Sequence, residues 1–258
     1  MSTSERSRRP ERRMLQVCVN GARDLEQHPA LHADPALHAD PALAAADAAR
    51  AVAAGADAIH FHPKDSRGRD SLAAGDVADW LREFRSACPG TPLGVTTGAW
   101  IEPEVERRIH AIATWTELPD YASVNWHEAG ASRVADLLHR RGVRIEAGIW
   151  DATGLAAWRD SPLRGECLRV LIELPDEAAE VVREHAEALI AHVRAEESDI
   201  AILLHGEERS AWPALAVAAE LGLESRVGLE DTLVMPDGRP AFDNASLVRA
   251  AAVLASRS

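Results

Sequence analysis

Two histidines separated by one residue stand in the segment Ala58-Ile59-His60-Phe61-His62-Pro63-Lys64-Asp65. The segment follows Ala51-Val52-Ala53-Ala54-Gly55-Ala56-Asp57, a small-residue helical run that stops at a glycine, so it reads as a strand leaving a helix. On a strand, residues i and i+2 face the same side. His60 and His62 therefore project together and Phe61 projects the other way. Two imidazoles on one face suit a zinc-like ion, which takes histidine nitrogens at about 2.0–2.1 Å. An isolated His-x-His is more often a pair of polar residues satisfied by backbone or water. The pair gains weight only from its setting.

That setting is a repeating one. Short apolar runs alternate with Ala/Leu-rich helical stretches: Leu15–Asn20, Ala58–His62, Pro92–Thr97, Tyr121–Asn125, Val143–Trp150, Leu168–Ile172, Asp199–Leu204 and Arg226–Glu230. Helical periodicity is plain in Asp76–Arg85, with Val77, Trp80, Leu81 and Phe84 on one stripe. It is plain again in Glu177–Ala195, with Val181, Val182, His185, Leu189, Ile190 and Val193. Eight strands, each followed by a helix, predict an α/β protein of the (β/α)8 TIM-barrel class, for which about 250 residues is the usual size. A doubly wound open sheet is the alternative, weakened because no G-x-G-x-x-G or P-loop follows any strand. Residues 14–258 are read as one barrel and residues 1–13, with five arginines, as a solvated basic tail. The tandem copies Leu31-His32-Ala33-Asp34-Pro35-Ala36 and Leu37-His38-Ala39-Asp40-Pro41-Ala42 read as a duplicated helix start, with Asp as cap and Pro at the first helical position.

In such a barrel the chemistry lies at the C-terminal ends of the strands. Those ends read Asn20-Gly21-Ala22-Arg23, then His60, His62, Lys64 and Asp65, then Thr96-Thr97-Gly98-Ala99-Trp100. Ser123, Asn125, Trp126, His127 and Glu128 follow, then Glu146, Trp150 and Asp151, then His205, Gly206 and Glu207, then Arg226, Glu230 and Asp231. The sixth end, Glu173-Leu174-Pro175, is less distinctive. Two histidines with one carboxylate and open positions form a catalytic metal arrangement. Strands 1, 2 and 8 of a closed barrel are neighbours, so Glu230 is the best third ligand, with Glu128 and Glu146 in reserve. Glu230 and Asp231 are adjacent, so both can face the site only if the chain bends there.

At this point the chain resembles the β-keto acid cleavage enzymes, founded on 3-keto-5-aminohexanoate cleavage enzyme. The resemblance rests on Asn20-Gly21-Ala22-Arg23, the Gly55-Ala56 to Asp65 block, Thr96-Thr97-Gly98, Ser123-Val124-Asn125, Glu146, Arg226-Val227-Gly228-Leu229-Glu230-Asp231 and the tail Asp237-Gly238 to Val248. It implies a zinc ion (Zn2+), one per chain, on His60, His62 and Glu230. Arg226, Asp231 and Glu146 would then be catalytic, and Asn20, Arg23, Thr97, Ser123 and Asn125 would orient substrate. The reaction implied joins a β-keto acid to acetyl-CoA and yields acetoacetate and an acyl-CoA. Two other readings stay open: a metal-dependent aldolase or decarboxylase that uses no CoA, and a non-catalytic keto acid-binding protein. The sequence departs from the family pattern where members carry a second acid two positions after Glu146, since Gly148 stands there. Trp100, Trp126 and Trp150 follow neighbouring strands and suggest an aromatic wall. With no acid at 148, the expected acyl pocket is neutral and largely apolar. Cys18, Trp80 and Trp158 are assigned to packing.

Composition narrows the partners. The net charge of -13, from 41 acidic and 28 basic residues, repels phosphate backbones and argues against nucleic acid. No apolar run approaches the roughly 20 residues of a membrane span. Three scattered cysteines, Cys18, Cys88 and Cys167, argue for a reducing cytoplasm. The expected partners are small molecules, with homo-oligomerisation left open.

Overall fold

The computed structural model describes residues 13–22 and 40–256. The strands are β1 (Leu15–Cys18), β2 (Ala58–Phe61), β3 (Leu93–Thr96), β4 (Tyr121–Asn125), β5 (Arg144–Ile149), β6 (Arg169–Leu174), β7 (Ile202–Gly206) and β8 (Glu224–Val227). All pair in parallel in sequence order, and β8 returns to β1 through Leu15↔Ser225 and Val17↔Val227. That closure makes the (β/α)8 barrel and excludes the open sheet. The helices are α1 (Pro41–Ala54), α2 (Ala74–Ala87), α3 (Val105–Ala113), α4 (Ala131–Arg140), α5 (Ala152–Arg159), α6 (Ala179–Glu196), α7 (Ala211–Leu221) and α8 (Asn244–Ala255).

Strand alternation sorts the side chains into two cores. Val17, Ile59, Phe61, Val95, Val124, Ile145, Ile172 and Leu204 join the apolar core shared with the helices, all at most 2% exposed. On α2, Val77, Trp80, Leu81 and Phe84 form the predicted buried stripe. Phe61 stacks on Phe84 at 4.1 Å and on Trp80 at 5.9 Å. Burying each such side chain contributes roughly 1.5–3 kcal/mol. The second Asp-Pro copy starts α1: the Asp40 carboxylate accepts from the N–H groups of Ala42 (2.8 Å) and Leu43 (3.3 Å), with Pro41 at the first position. The basic N-terminal stretch up to residue 12, and the first copy with His32, lie outside the described residues, as does His38.

The inward-facing positions carry polar groups. The Gln16 amide donates across the barrel to Tyr121 Oη (2.8 Å) and to Glu146 Oε1 (3.1 Å). Arg169 Nε donates to the same Glu146 oxygen at 2.6 Å and Arg169 Nη1 donates to Glu224 at 3.1 Å. Glu146, fully buried, is therefore one partner of an ion pair inside the barrel, below the strand ends. Burial opposes its ionisation, but the Arg169 guanidinium holds its carboxyl below the usual range. Removing one partner of a buried pair costs about 3–5 kcal/mol. Glu146→Gln is expected near the lower end, about 3 kcal/mol, because Glu224 still meets Arg169. Urea unfolding checks this, and an unchanged midpoint would reject the structural role.

Candidate active site

β2 ends at Phe61, which places His60 on its last turn of pleat and His62 just beyond it, 1% and 3% exposed. Their rings lie edge to face with centroids 5.4 Å apart. Glu230 comes from the other side of β1. The strand expected over Arg226–Glu230 runs instead over Glu224–Val227, and the chain then turns. The N–H groups of Asp231 and Thr232 both donate to the Gly228 carbonyl, at 2.9 and 3.1 Å. This turn is the bend that lets Glu230 and Asp231 share one end of the barrel.

Two glycines permit the turn. A Cβ at Gly228 would lie 1.8 Å from the Cys18 carbonyl oxygen. Gly21 has φ +66°, and a Cβ there would lie 2.4 Å from Glu230 Cγ. The Asn20-Gly21 pair thus makes room for the acid. Asn244 secures the turn: its carbonyl accepts from Leu229 N–H at 2.8 Å and its amide donates to Val19 O at 2.9 Å and to Asp47 at 2.5 Å.

Glu230 Oε1 lies 3.5 Å from His62 Nε2, and Oε2 lies 3.9 Å from His60 Nε2. The donor atoms of all three residues fall within 4.8 Å of one another. Ligand atoms bound tetrahedrally at about 2.0–2.1 Å stand roughly 3.3–3.5 Å apart, so a divalent ion fits among them with little movement. Burial lowers the pKa of His60 to about 4, which leaves the imidazole neutral as a ligand must be. Burial works the same way on His62, but the Glu230 and Asp70 carboxylates overcome it and hold its pKa at about 9. A bound ion would take the place of that proton.

Beside this trio, Arg226 Nη2 donates to Glu230 Oε1 (2.9 Å) and to Asp231 Oδ1 (2.7 Å), and its Nε donates to Asp231 Oδ1 (3.1 Å). His205 lies between Asp231 and Glu173, its Nδ1 3.4 Å from Asp231 Oδ1 and its Nε2 3.3 Å from Glu173 Oε2. Burial first, then the neighbouring Glu173 carboxylate, pushes Glu207 up to about 7.

A cavity of about 280 Å³ opens at this end of the barrel. His60, His62, Glu230, Arg226, Ser123, Asn125, Trp100 and Trp150 line it. Other expected positions do not. Thr96 lines the cavity in place of Thr97, which alternation turns away; the Thr97 hydroxyl donates to Ser123 O at 2.7 Å. Asn20 grips the backbone of His62, accepting from its N–H and donating to its carbonyl, both at 2.8 Å. Trp126 is buried in the apolar core. Glu146 lies in the ion pair described above, and Asp231 sits behind Arg226 at 1% exposure. Arg23 lies outside the described residues.

The cavity also contradicts the expected apolar acyl pocket. Glu173, Glu207 and Glu208 line its β6–β7 side. The space above Gly148 is not empty either, since Asn125 Oδ1 stands 2.5 Å from where its Cβ would be. Glu173, less distinctive in the sequence, reaches the cavity because the sixth strand runs to Leu174, two residues past the end expected for it. Asp70 offered no signal in the sequence, because a loop brings it back to His62.

Comparison with known proteins gives the family and the fold. The family model for "beta-keto acid cleavage enzyme" matches residues 13–258. Among solved structures, ObcA in a "ternary complex with C4-CoA adduct and oxalate" superposes with a TM-score of 0.64 at 19% identity, covering 84% of this chain and 63% of that one. Apo ObcA gives 0.60 at 20% identity, covering 84% and 61%. This chain thus spans less than two thirds of the length of ObcA. Type I 3-dehydroquinate dehydratase from Clostridium difficile gives a TM-score of 0.63 at 13% identity over 96% of this chain and 93% of that one, a likeness of fold alone. No curated protein sequence matches the chain. A family match running from the start of the barrel to its last helix means that the chain belongs to the β-keto acid cleavage enzyme family.

Proposed function

We propose that this chain is a zinc-dependent β-keto acid cleavage enzyme that takes a β-keto acid and acetyl-CoA and releases acetoacetate and the acyl-CoA of the remaining part. The observation that carries the reading is the meeting of His60, His62 and Glu230 with Arg226 at one cavity, where Asp231 holds the guanidinium from behind. His60, His62 and Glu230 would hold the ion, and two imidazoles with one carboxylate favour zinc over magnesium. A divalent ion bound there supplies Lewis-acid stabilisation of negative charge on the oxygens of a 1,3-keto acid, worth several kcal/mol.

The chain's own residues supply the rest. Arg226 presents a guanidinium fixed by two carboxylates, a preset positive charge for a carboxylate or oxyanion. Ser123 and Asn125 offer a hydroxyl and an amide to substrate oxygens. Asp231 takes the proton from the carbon between the keto and carboxylate groups and returns it to the acetoacetate carbon, so no net proton is consumed. Trp100 and Trp150 shield the reacting end from water. Oxaloacetate has a keto group β to one carboxylate, and ObcA structures hold oxaloacetate or a C4-CoA adduct, which supports a CoA-linked keto acid reaction. Cys18, Cys88 and Cys167 are unpaired, in keeping with a cytoplasmic setting, and no helix among the described residues is long and apolar enough to cross a membrane.

The test is a screen of β-keto acids with the zinc-loaded protein, with and without acetyl-CoA, following acetoacetate and acyl-CoA. Both products are expected only when acetyl-CoA is present. Keto acid consumed equally in its absence would assign the barrel to CoA-independent cleavage or decarboxylation. Thermal stabilisation by keto acids without turnover would mark a binding protein.

A further inference from the structure

We infer that Asp70 is a positioning residue for the metal ligand His62, gripping the imidazole from behind through a carboxylate it shares with Lys64 and Trp100. The inference rests on the metal reading above and goes beyond its three ligands.

Asp70 lies in the loop between β2 and α2, eight residues after His62. The loop doubles back on itself. Asp65 N–H donates to Arg69 O at 2.8 Å, Ser71 N–H donates to Pro63 O at 2.8 Å, and Lys64 and Asp70 form an antiparallel bridge. The returning strand sets the Asp70 carboxylate against the back of His62, with Oδ2 3.1 Å from Nδ1. The same oxygen accepts from Trp100 Nε1–H at 2.9 Å, and Oδ1 accepts from the Lys64 ammonium. That ammonium also donates to Gly21 O at 2.6 Å, beside the glycine that admits Glu230. Trp100 lies over the His62 ring at 5.9 Å between centroids.

The consequence is chemical. A carboxylate at Nδ1 accepts the hydrogen bond of that ring N–H, so Nε2, 3.5 Å from Glu230, is the nitrogen left to face an ion. Among the described residues His60 has no such support: its Nδ1 is buried and finds no hydrogen-bond partner there. Of the two imidazoles, His62 is the one whose tautomer and ring plane the protein sets. Loss of such an outer carboxylate costs 10–100-fold in metal affinity in metal sites generally.

Asp70 also neutralises Lys64, whose side chain is only 3% exposed. Asp70→Asn alone could therefore fail through an unpaired buried ammonium. The comparison to make is Lys64→Met against Lys64→Met/Asp70→Asn, each as the full chain stripped of metal and titrated with zinc against a chromogenic chelator. Far-UV circular dichroism checks folding. The double variant is expected to bind zinc 10–100-fold more weakly than Lys64→Met, with an unchanged spectrum. Equal affinities in the two variants, with wild type binding zinc, would overturn the role of Asp70 and leave the site standing. A wild-type chain that takes up no zinc would overturn the site and this inference together.

Discussion

His62→Ala is expected to empty the metal site and to lower turnover by about three orders of magnitude or more, because the ion's contribution of several kcal/mol is lost at about 1.4 kcal/mol per decade. His60→Ala and Glu230→Gln should do the same. His60 and His62 stand at the end of β2 and Glu230 in the turn after β8, two places that meet only when β8 closes on β1, and each residue contributes one donor to a set spanning 4.8 Å. Among the described residues no further His, Cys, Asp or Glu joins that set. Asn20 holds His62 by its backbone, so the loop should keep its place when the ring is gone. Elemental analysis of the purified variants, beside wild type at near one zinc per chain, is the direct measurement. Full zinc content in His62→Ala, with folding intact, would show that the ion lies elsewhere.

That trio was legible in the sequence because two simple periodicities set it. Alternation on β2 puts His60 and His62 on one side, and barrel closure brings the eighth strand beside the first. Alternation also explains the misses. Thr96 and Thr97 are adjacent, so choosing the wrong one turns the hydroxyl from the cavity to the Ser123 carbonyl. Glu146 has the right face but the wrong depth: Ser123 and Arg169 flank it in register, and Arg169 claims its carboxylate inside the barrel. Depth follows from where each strand ends. Strands six and seven run two residues past their apolar segments, which carries Glu173 and His205 to the site as strand residues. Asp70 reaches His62 through a loop that folds back, and no periodicity encodes such a contact. Family resemblance carried Asn20 and Asp231 to the site by position. Their actual contacts, a backbone clamp and a buried anchor behind Arg226, depend on side-chain geometry that a motif does not contain.

Asp231→Asn is expected to lower kcat by about 10²–10⁴ while zinc content stays at the wild-type level. The substitution keeps the size of the side chain and its carbonyl oxygen, so Arg226 can still donate to Oδ1. It removes the basic carboxylate, and with it the group proposed to hold the substrate proton. Asp231 Oδ1 already receives both Arg226 donors, whereas Oδ2 is buried with no hydrogen-bond partner among the described residues, which leaves Oδ2 as the oxygen for the proton. A rival role is available on the same contacts: Asp231 could serve only to brace Arg226 against the cavity wall. The two roles separate kinetically. A brace that is weakened should raise KM for the keto acid, as Arg226→Ala should, and leave kcat less affected. A lost proton carrier should lower kcat with KM little changed. It should also abolish exchange of the substrate's α-hydrogen with deuterated water, measured by NMR on the zinc-loaded protein without acetyl-CoA. Exchange at the wild-type rate in Asp231→Asn would assign the proton transfer to another group and leave Asp231 as the anchor of the guanidinium.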